Sequence, residues 1–319
     1  MNRIPWIDNM KAVGMYFIIL GHFFPHGYKY IYVFNVPVFF VISGYLCKQE
    51  TNAKSFWKKI LTGLVLPLIV LNITNYIIID LLSYFNGNHN IFYLSRFLRF
   101  IWSSLIGMQS GLKELWYVYT LILLKIVSYY FCTNGITKYF MLIMSVCWIL
   151  IKPIGVEYEN AIENVWIAYP FFFVGQFLRK YMQHINTFEH NSLFVGLAVL
   201  CCGFVWLCGY YNGFVQMYRC QYGNNVFLFV FGGLAGTAFL FFFSKMFSRG
   251  IPLCTNIAKG SILILGLQMP FIHLICEKIH YNGGLFGALI LSFILILIFV
   301  PLIKLSESYF PIVIGQFRK

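Results

Sequence analysis

Ten apolar stretches recur along the chain, separated by short segments that hold most of its charge. They fall at roughly 9–26, 30–47, 60–80, 114–132, 137–151, 163–180, 192–211, 225–244, 260–277 and 285–304. The blocks 60–79, 190–218, 220–244 and 279–303 contain no Asp, Glu, Lys or Arg. Each reaches the about 20 residues that a helix needs to cross a bilayer core. The pattern predicts an all-α polytopic membrane protein with about ten transmembrane helices. One segment breaks it: residues 91–107 place Arg96 and Arg99 among aromatic residues, which reads as an amphipathic helix lying in the membrane interface.

Composition excludes a soluble globular protein. Of 319 residues, 60% are apolar and 10% charged, whereas ordinary domains run about 45–50% and about 25%. The net charge of +13 would suggest nucleic acid in a soluble chain, but here the basic residues sit between apolar blocks, so no nucleic-acid partner is expected. With the N-terminus inside, fourteen basic residues fall in inner segments and seven in outer ones, and that excess puts both termini in the cytoplasm. The nine cysteines lie mostly inside apolar blocks and form no CxxC pair; they read as small core residues, and no metal site is expected. Asp8 and His22 interrupt the first apolar run and no small-x-small cleavage site follows, so the first helix is expected to remain. Residues 1–319 read as one integral-membrane domain without an appended soluble domain. Gly232, Gly233 and Gly236 form a small-residue stripe suited to close helix packing.

Ionisable groups inside membrane helices are costly, so each is a functional lead. The first stretch carries three: Asp8, Lys11 and His22. At about 100° per residue, Lys11 and His22 share one helix face to within about 20° and stand about 16 Å apart along the axis. Lys11 belongs near the cytoplasmic mouth and His22 beyond mid-membrane. Asp8 lies about 21 Å from His22 along the helix, too far to orient its ring. Asp8 and Lys11 also have the spacing of an i,i+3 ion pair. A neutral buried histidine can serve as a general base for an incoming hydroxyl, and a partner that orients it has to come from another span.

Lys11, ten intervening residues and His22, followed by Pro37, Phe39, Phe40, Ser43, Gly44 and Tyr45 in VPVFFVISGYL, resemble the signature of the integral-membrane proteins called acyltransferase family 3. Weaker echoes are the basic stretch FWKKILTGLVLP ending at Pro67, LWYVYTL at 115–121 and PFFFVGQFL at 170–178. Two departures stand out. Thr62 occupies the place of a second basic residue three after Lys59, and Gln268 stands in the penultimate helix where the family commonly has a His. Gln keeps hydrogen-bonding groups but cannot act as a base.

The resemblance implies an O-acetyltransferase of the bacterial cytoplasmic membrane. It would move an acyl group, in the usual case acetyl from cytoplasmic acetyl-CoA, to a hydroxyl of an extracytoplasmic or lipid-linked glycan, beside membrane lipids and polysaccharide-assembly proteins. His22 is then the expected base. Ser43 is a candidate nucleophile or oxyanion donor, and Tyr45 a second candidate nucleophile. Lys11, Lys58 and Lys59 are expected to attract the CoA phosphates. Asp8, Tyr45, Glu114, Trp116 and Gln268 are expected to support the site or the substrate. Glu114, Trp116 and Tyr117 form an aromatic and acidic face suited to a sugar, and Glu157, Glu159 and Glu163 an acidic outer loop. The rival reading is a transporter or flippase of lipid-linked saccharides.

Overall fold

The apolar stretches fold into helices. The computed structural model describes residues 3–85, 87, 93–151, 159–181, 191–247 and 250–316. In chain order the helices are α1 Pro5–Phe23, α2 Tyr28–Ile31, α3 Pro37–Leu46, α4 Ala53–Ile60, α5 Leu66–Phe85, α6 Leu94–Leu105, α7 Gln109–Leu112, α8 Trp116–Tyr130, α9 Gly135–Ile151, α10 Asn164–Tyr181, α11 Asn191–Asn212, α12 Val226–Lys245, α13 Pro252–Lys259, α14 Ser261–Lys278 and α15 Leu285–Tyr309. Among the described residues no strand forms; the isolated bridges Met108 to Asn160 and Gln216 to Gln221 tie loops.

Five helical runs are long and apolar enough to cross a membrane: Ala53–Phe85, Ser192–Asn212, Val226–Lys245, Ser261–Lys278 and Leu285–Tyr309. Only 28–33% of each apolar window is buried within the protein, so most of that surface faces outward, as lipid contact requires. The expectation was ten spans; the other stretches form helices that are shorter or more polar. The stretch 30–47 departs furthest. It splits into α2 and the ten-residue α3, and α3 at about 15 Å covers half of an about 30 Å core. Pro37 accounts for the split: it has no N–H for the carbonyl of Val33, yet its fixed φ suits the first turn of a new helix. Pro67 acts differently. Its ring and missing N–H conflict with the carbonyl of Gly63, and the chain responds with a π-helical turn, Leu61–Val65, that joins α4 to α5 without ending the run.

α1 lies at the centre, packed against α12, α13, α14 and α15 and against α2 and α3. Met10, Met15, Ile19 and Phe23 on it are almost wholly buried. A second seam joins α3 to α10. A Cβ at Gly44 would come within 1.9 Å of the Phe172 carbonyl oxygen, and one at Gly175 within 2.0 Å of the Val41 carbonyl oxygen. The two backbones therefore touch, and Gly44 of the SGY segment is a packing residue. The stripe on α12 works similarly, seating Val33 and Phe34 of the α2–α3 connection against Gly232 and Gly236.

α6 presents Leu94, Leu98, Trp102 and Leu105 outward, while Phe97 and Phe100 pack on Tyr76 of α5. Arg96 pairs with Asp80 at 3.7 Å. Within the 91–107 stretch, Leu94–Leu105 thus forms an amphipathic helix clamped to α5 by its aromatic face.

Candidate active site

One face of α1, made by Lys11, Met15, Ile18 and His22, lines a cavity of ≈ 630 Å³. Those positions recur at the i, i+4, i+7, i+11 spacing of a single helix stripe, so the cavity runs along α1 for about 16 Å. Tyr32 and Asn35 of the α2–α3 connection join it, as do Ser43 of α3, Gln109 of α7, and Lys113, Glu114, Trp116, Tyr117 and Lys125 in and before α8. Gln216 and Tyr218 of the α11–α12 connection and Ser261 and Gln268 of α14 complete the polar lining. The fold therefore brings together Lys11, His22, Ser43, Glu114, Trp116 and Gln268, six residues predicted from sequence. Asp8, Tyr45, Lys58 and Lys59 lie outside this cavity.

The polar groups differ in how they are held. His22 Nδ1 lies 3.5 Å from the Tyr32 hydroxyl, and the two rings meet edge to face at 6.1 Å. The Ser43 hydroxyl is 3.1 Å from that of Tyr117, whose ring packs on Phe40 at 4.7 Å. Ser43 thus bonds a phenol, whereas an activated serine nucleophile needs a bond to its base. Gln268 is fully buried and neither side-chain amide atom has a partner; Oε1 of Gln109 and Oε2 of Glu114 are likewise buried without one. Each buried, unmet polar atom costs about 1–3 kcal/mol, so a ligand with several hydroxyls matches this lining. Just before Glu114, Lys113 adopts φ 45°, a left-handed conformation that a side chain disfavours. The segment is braced from outside by Gln109 N–H to the Glu159 carbonyl (2.7 Å) and Ala161 N–H to the Gly107 carbonyl (2.8 Å).

A second cavity, ≈ 520 Å³, lies at the C-terminal end of α3 and shares Leu46 and Lys125 with the first. Its lining carries six cationic side chains, Lys48, Lys59, Lys125, Lys138, Arg179 and Lys180, against one carboxylate, Glu50. Lys59 donates a short hydrogen bond to Glu50, and the Arg179 guanidinium donates to the Cys47 carbonyl at 2.6 Å. The Lys59 ammonium holds the Glu50 carboxyl below the usual carboxylate range. Such a cavity suits a polyanion.

Asp8 pairs with Arg3 at 3.1 Å, which replaces the expected i,i+3 pair with Lys11. Tyr45 packs edge to face on Trp6 at 5.3 Å. Lys58 is exposed and lines neither cavity, and Lys59 lines only the second. Of the acidic loop, Glu157 lies outside the described residues; Glu159 serves through its backbone as a brace. Among the described residues no group of three or more His, Cys, Asp or Glu is placed to hold a metal. Sequence reasoning missed the role of Lys125, although a lysine within an apolar stretch was the available signal. It also missed Lys138, Arg179 and Lys180 as one cluster, because only the tertiary fold brings α8, α9 and α10 together.

No curated protein and no solved structure matches the chain. A family model described as an acyltransferase domain, that of acyltransferase family 3, matches residues 4–305. The match supports a membrane acyltransferase and lends nothing to the transporter reading. With essentially its whole length matched, including both the α1 stripe and the α3 segment that line the cavity, the chain belongs to acyltransferase family 3.

Proposed function

We propose that the protein is an O-acetyltransferase that takes an acyl group from acyl-CoA on the cytoplasmic side and transfers it to a hydroxyl of an extracytoplasmic or lipid-linked glycan. The observation that carries this reading is that a cation-lined cavity adjoins the histidine-lined one, the two sharing Leu46 and Lys125 in their walls. Cations cluster at one end and the histidine stands about 16 Å beyond Lys11. The CoA phosphates would lie among Lys48, Lys59, Lys138, Arg179 and Lys180, while the extended arm threads past Lys125 and Lys11 and delivers the thioester towards His22. This assigns the donor phosphates to the second cavity and leaves Lys58 to the surface.

The glycan enters from the opposite end, where Gln109, Glu114 and Gln268 offer unpartnered polar atoms and Trp116 and Tyr218 offer aromatic faces. The His22 imidazole accepts the hydroxyl proton as the sugar oxygen attacks the thioester carbonyl. The C–O bond forms, the C–S bond breaks, and the proton passes from the imidazolium to the departing thiolate. Ser43 and Tyr117 share two hydroxyl protons and use one between them, so the other is free to donate to a carbonyl of the donor's extended arm on its way to His22. Transfer is direct.

The two-to-one excess of basic residues supports a cytoplasmic side for the cation-lined cavity and both termini. The shorter helices join the five long runs in about ten crossings of a bacterial inner membrane, beside polysaccharide-assembly proteins.

The test is label transfer from radiolabelled acetyl-CoA to glycan in inside-out vesicles, comparing wild type with His22→Ala at matched expression. Label in glycan with the wild type and none with the variant is expected. Equal labelling by both would remove His22 from the chemistry, and no labelling with either would remove the donor or the acceptor.

A further inference from the structure

A histidine can act as a base only through a nitrogen that carries no proton, and in a neutral ring just one nitrogen is free. Which one is free in His22 follows from the groups around it. Gly21 belongs to the last turn of α1, and the residue four positions on, whose N–H would normally bond its carbonyl, is Pro25. Proline has no N–H. The Gly21 carbonyl is therefore orphaned by the sequence, and the Tyr32 hydroxyl fills the gap, donating to it at 3.2 Å. That phenol has one proton, and it is now committed.

The same hydroxyl lies 3.5 Å from His22 Nδ1, where it has only lone pairs to offer. Nδ1 must then bring the proton, and Nε2 is left bare. The approach depends on Gly21 a second time, because a Cβ there would sit 2.4 Å from Cε1 of Tyr32. Tyr32 itself lines the cavity beside His22.

We infer that Tyr32 is the positioning residue of His22: Gly21 and Pro25 direct its hydroxyl proton away from the ring, which fixes the Nδ1–H tautomer and presents Nε2 as the proton acceptor. This rests on the proposed role of His22. It adds what that role requires, namely the partner from a separate element that sets the tautomer.

The experiment reads tautomer and turnover separately. Protein with 15N-labelled histidine in lipid is examined by solid-state NMR, with His22 assigned by its loss in His22→Ala, for the wild type and for Tyr32→Phe, which keeps the ring. The wild type should show Nδ1 protonated and Nε2 bare at neutral pH. Tyr32→Phe should show a mixture of tautomers, with kcat lowered on the order of 10- to 100-fold and KM for acetyl-CoA unchanged. A wild-type ring protonated on Nε2, or a Tyr32→Phe variant with unaltered tautomer and kcat, overturns the inference. The stated tautomers in a wild type that transfers no acyl group would instead overturn the functional reading and leave the geometry of Tyr32 standing.

Discussion

The hydroxyls of Ser43 and Tyr117 lie 3.1 Å apart in the wall of the cavity that His22 also lines. A serine held by a phenol contributes a hydrogen bond to the donor's arm and does not supply a nucleophile. Ser43→Ala should therefore raise KM for the donor about threefold to tenfold, the scale of one lost hydrogen bond to its arm, and leave most of kcat. Intact-mass analysis of the wild type after incubation with acetyl-CoA alone should show no acylated protein. An adduct that disappears in Ser43→Ala would contradict direct transfer.

The six cations of the second cavity should act on donor binding. Lys48→Gln and Lys138→Gln should each raise KM for acetyl-CoA by about threefold to tenfold, or roughly 1 kcal/mol per partly solvated charge, and added salt should shrink the difference by screening. Lys58→Gln, whose side chain lines neither cavity, should change nothing. Initial rates at varied donor concentration separate the two groups.

Glu50 provides a pH-dependent contact. Its carboxyl is held below the usual range, chiefly by the hydrogen bond from Lys59, so folding favours the ionised form. The stability this gives is fully present above the unfolded carboxylate value of about 4.3 and is lost only as pH falls through the depressed folded value. The melting temperatures of wild type and Glu50→Gln in detergent should differ by a constant amount from pH 8 to about 5 and converge in more acidic solution.

Gln268 is fully buried and both of its amide atoms lack partners. Gln268→Leu, close in volume, removes two unmet groups worth about 1–3 kcal/mol each, so the variant should melt at a higher temperature. The same change should raise KM for the glycan acceptor about tenfold, about 1.4 kcal/mol of lost hydrogen bonding, without affecting KM for the donor. Thermal unfolding and acceptor kinetics on one preparation check both signs.

The glycines divide sharply. Gly44→Ala and Gly175→Ala each force a Cβ into a facing carbonyl, and a backbone cannot retreat as a side chain can. Each should destabilise by at least the about 1–3 kcal/mol typical of overpacking. Gly196→Ala on α11 meets nothing within 4 Å and should be neutral or stabilising by about 0.5–1 kcal/mol. Comparing folded yield by size-exclusion chromatography across the three variants tests the α3–α10 seam directly.

Much of this protein is determined locally. Apolar run length predicted the helices because a chain in lipid has to satisfy its own backbone polar groups, and a helix does so within one segment. Helical periodicity likewise put Lys11 and His22 on one face of α1, since that relation depends only on 3.6 residues per turn. Proline positions 37 and 67 marked where geometry changes, but not how: one begins a new helix and the other is absorbed in a π-helical turn, and neighbouring contacts made that choice. Pairings between distant elements were decided by the tertiary structure alone. Asp8 satisfies Arg3 and not Lys11, Ser43 meets Tyr117 across seventy-four residues, and lysines from separate helices surround one cavity. Side-chain reach and backbone approach set these contacts, and neither is encoded in spacing along the chain. The partner of His22 shows both levels together: Pro25 leaves a carbonyl open by its chemistry, and the fold brings Tyr32 to fill it.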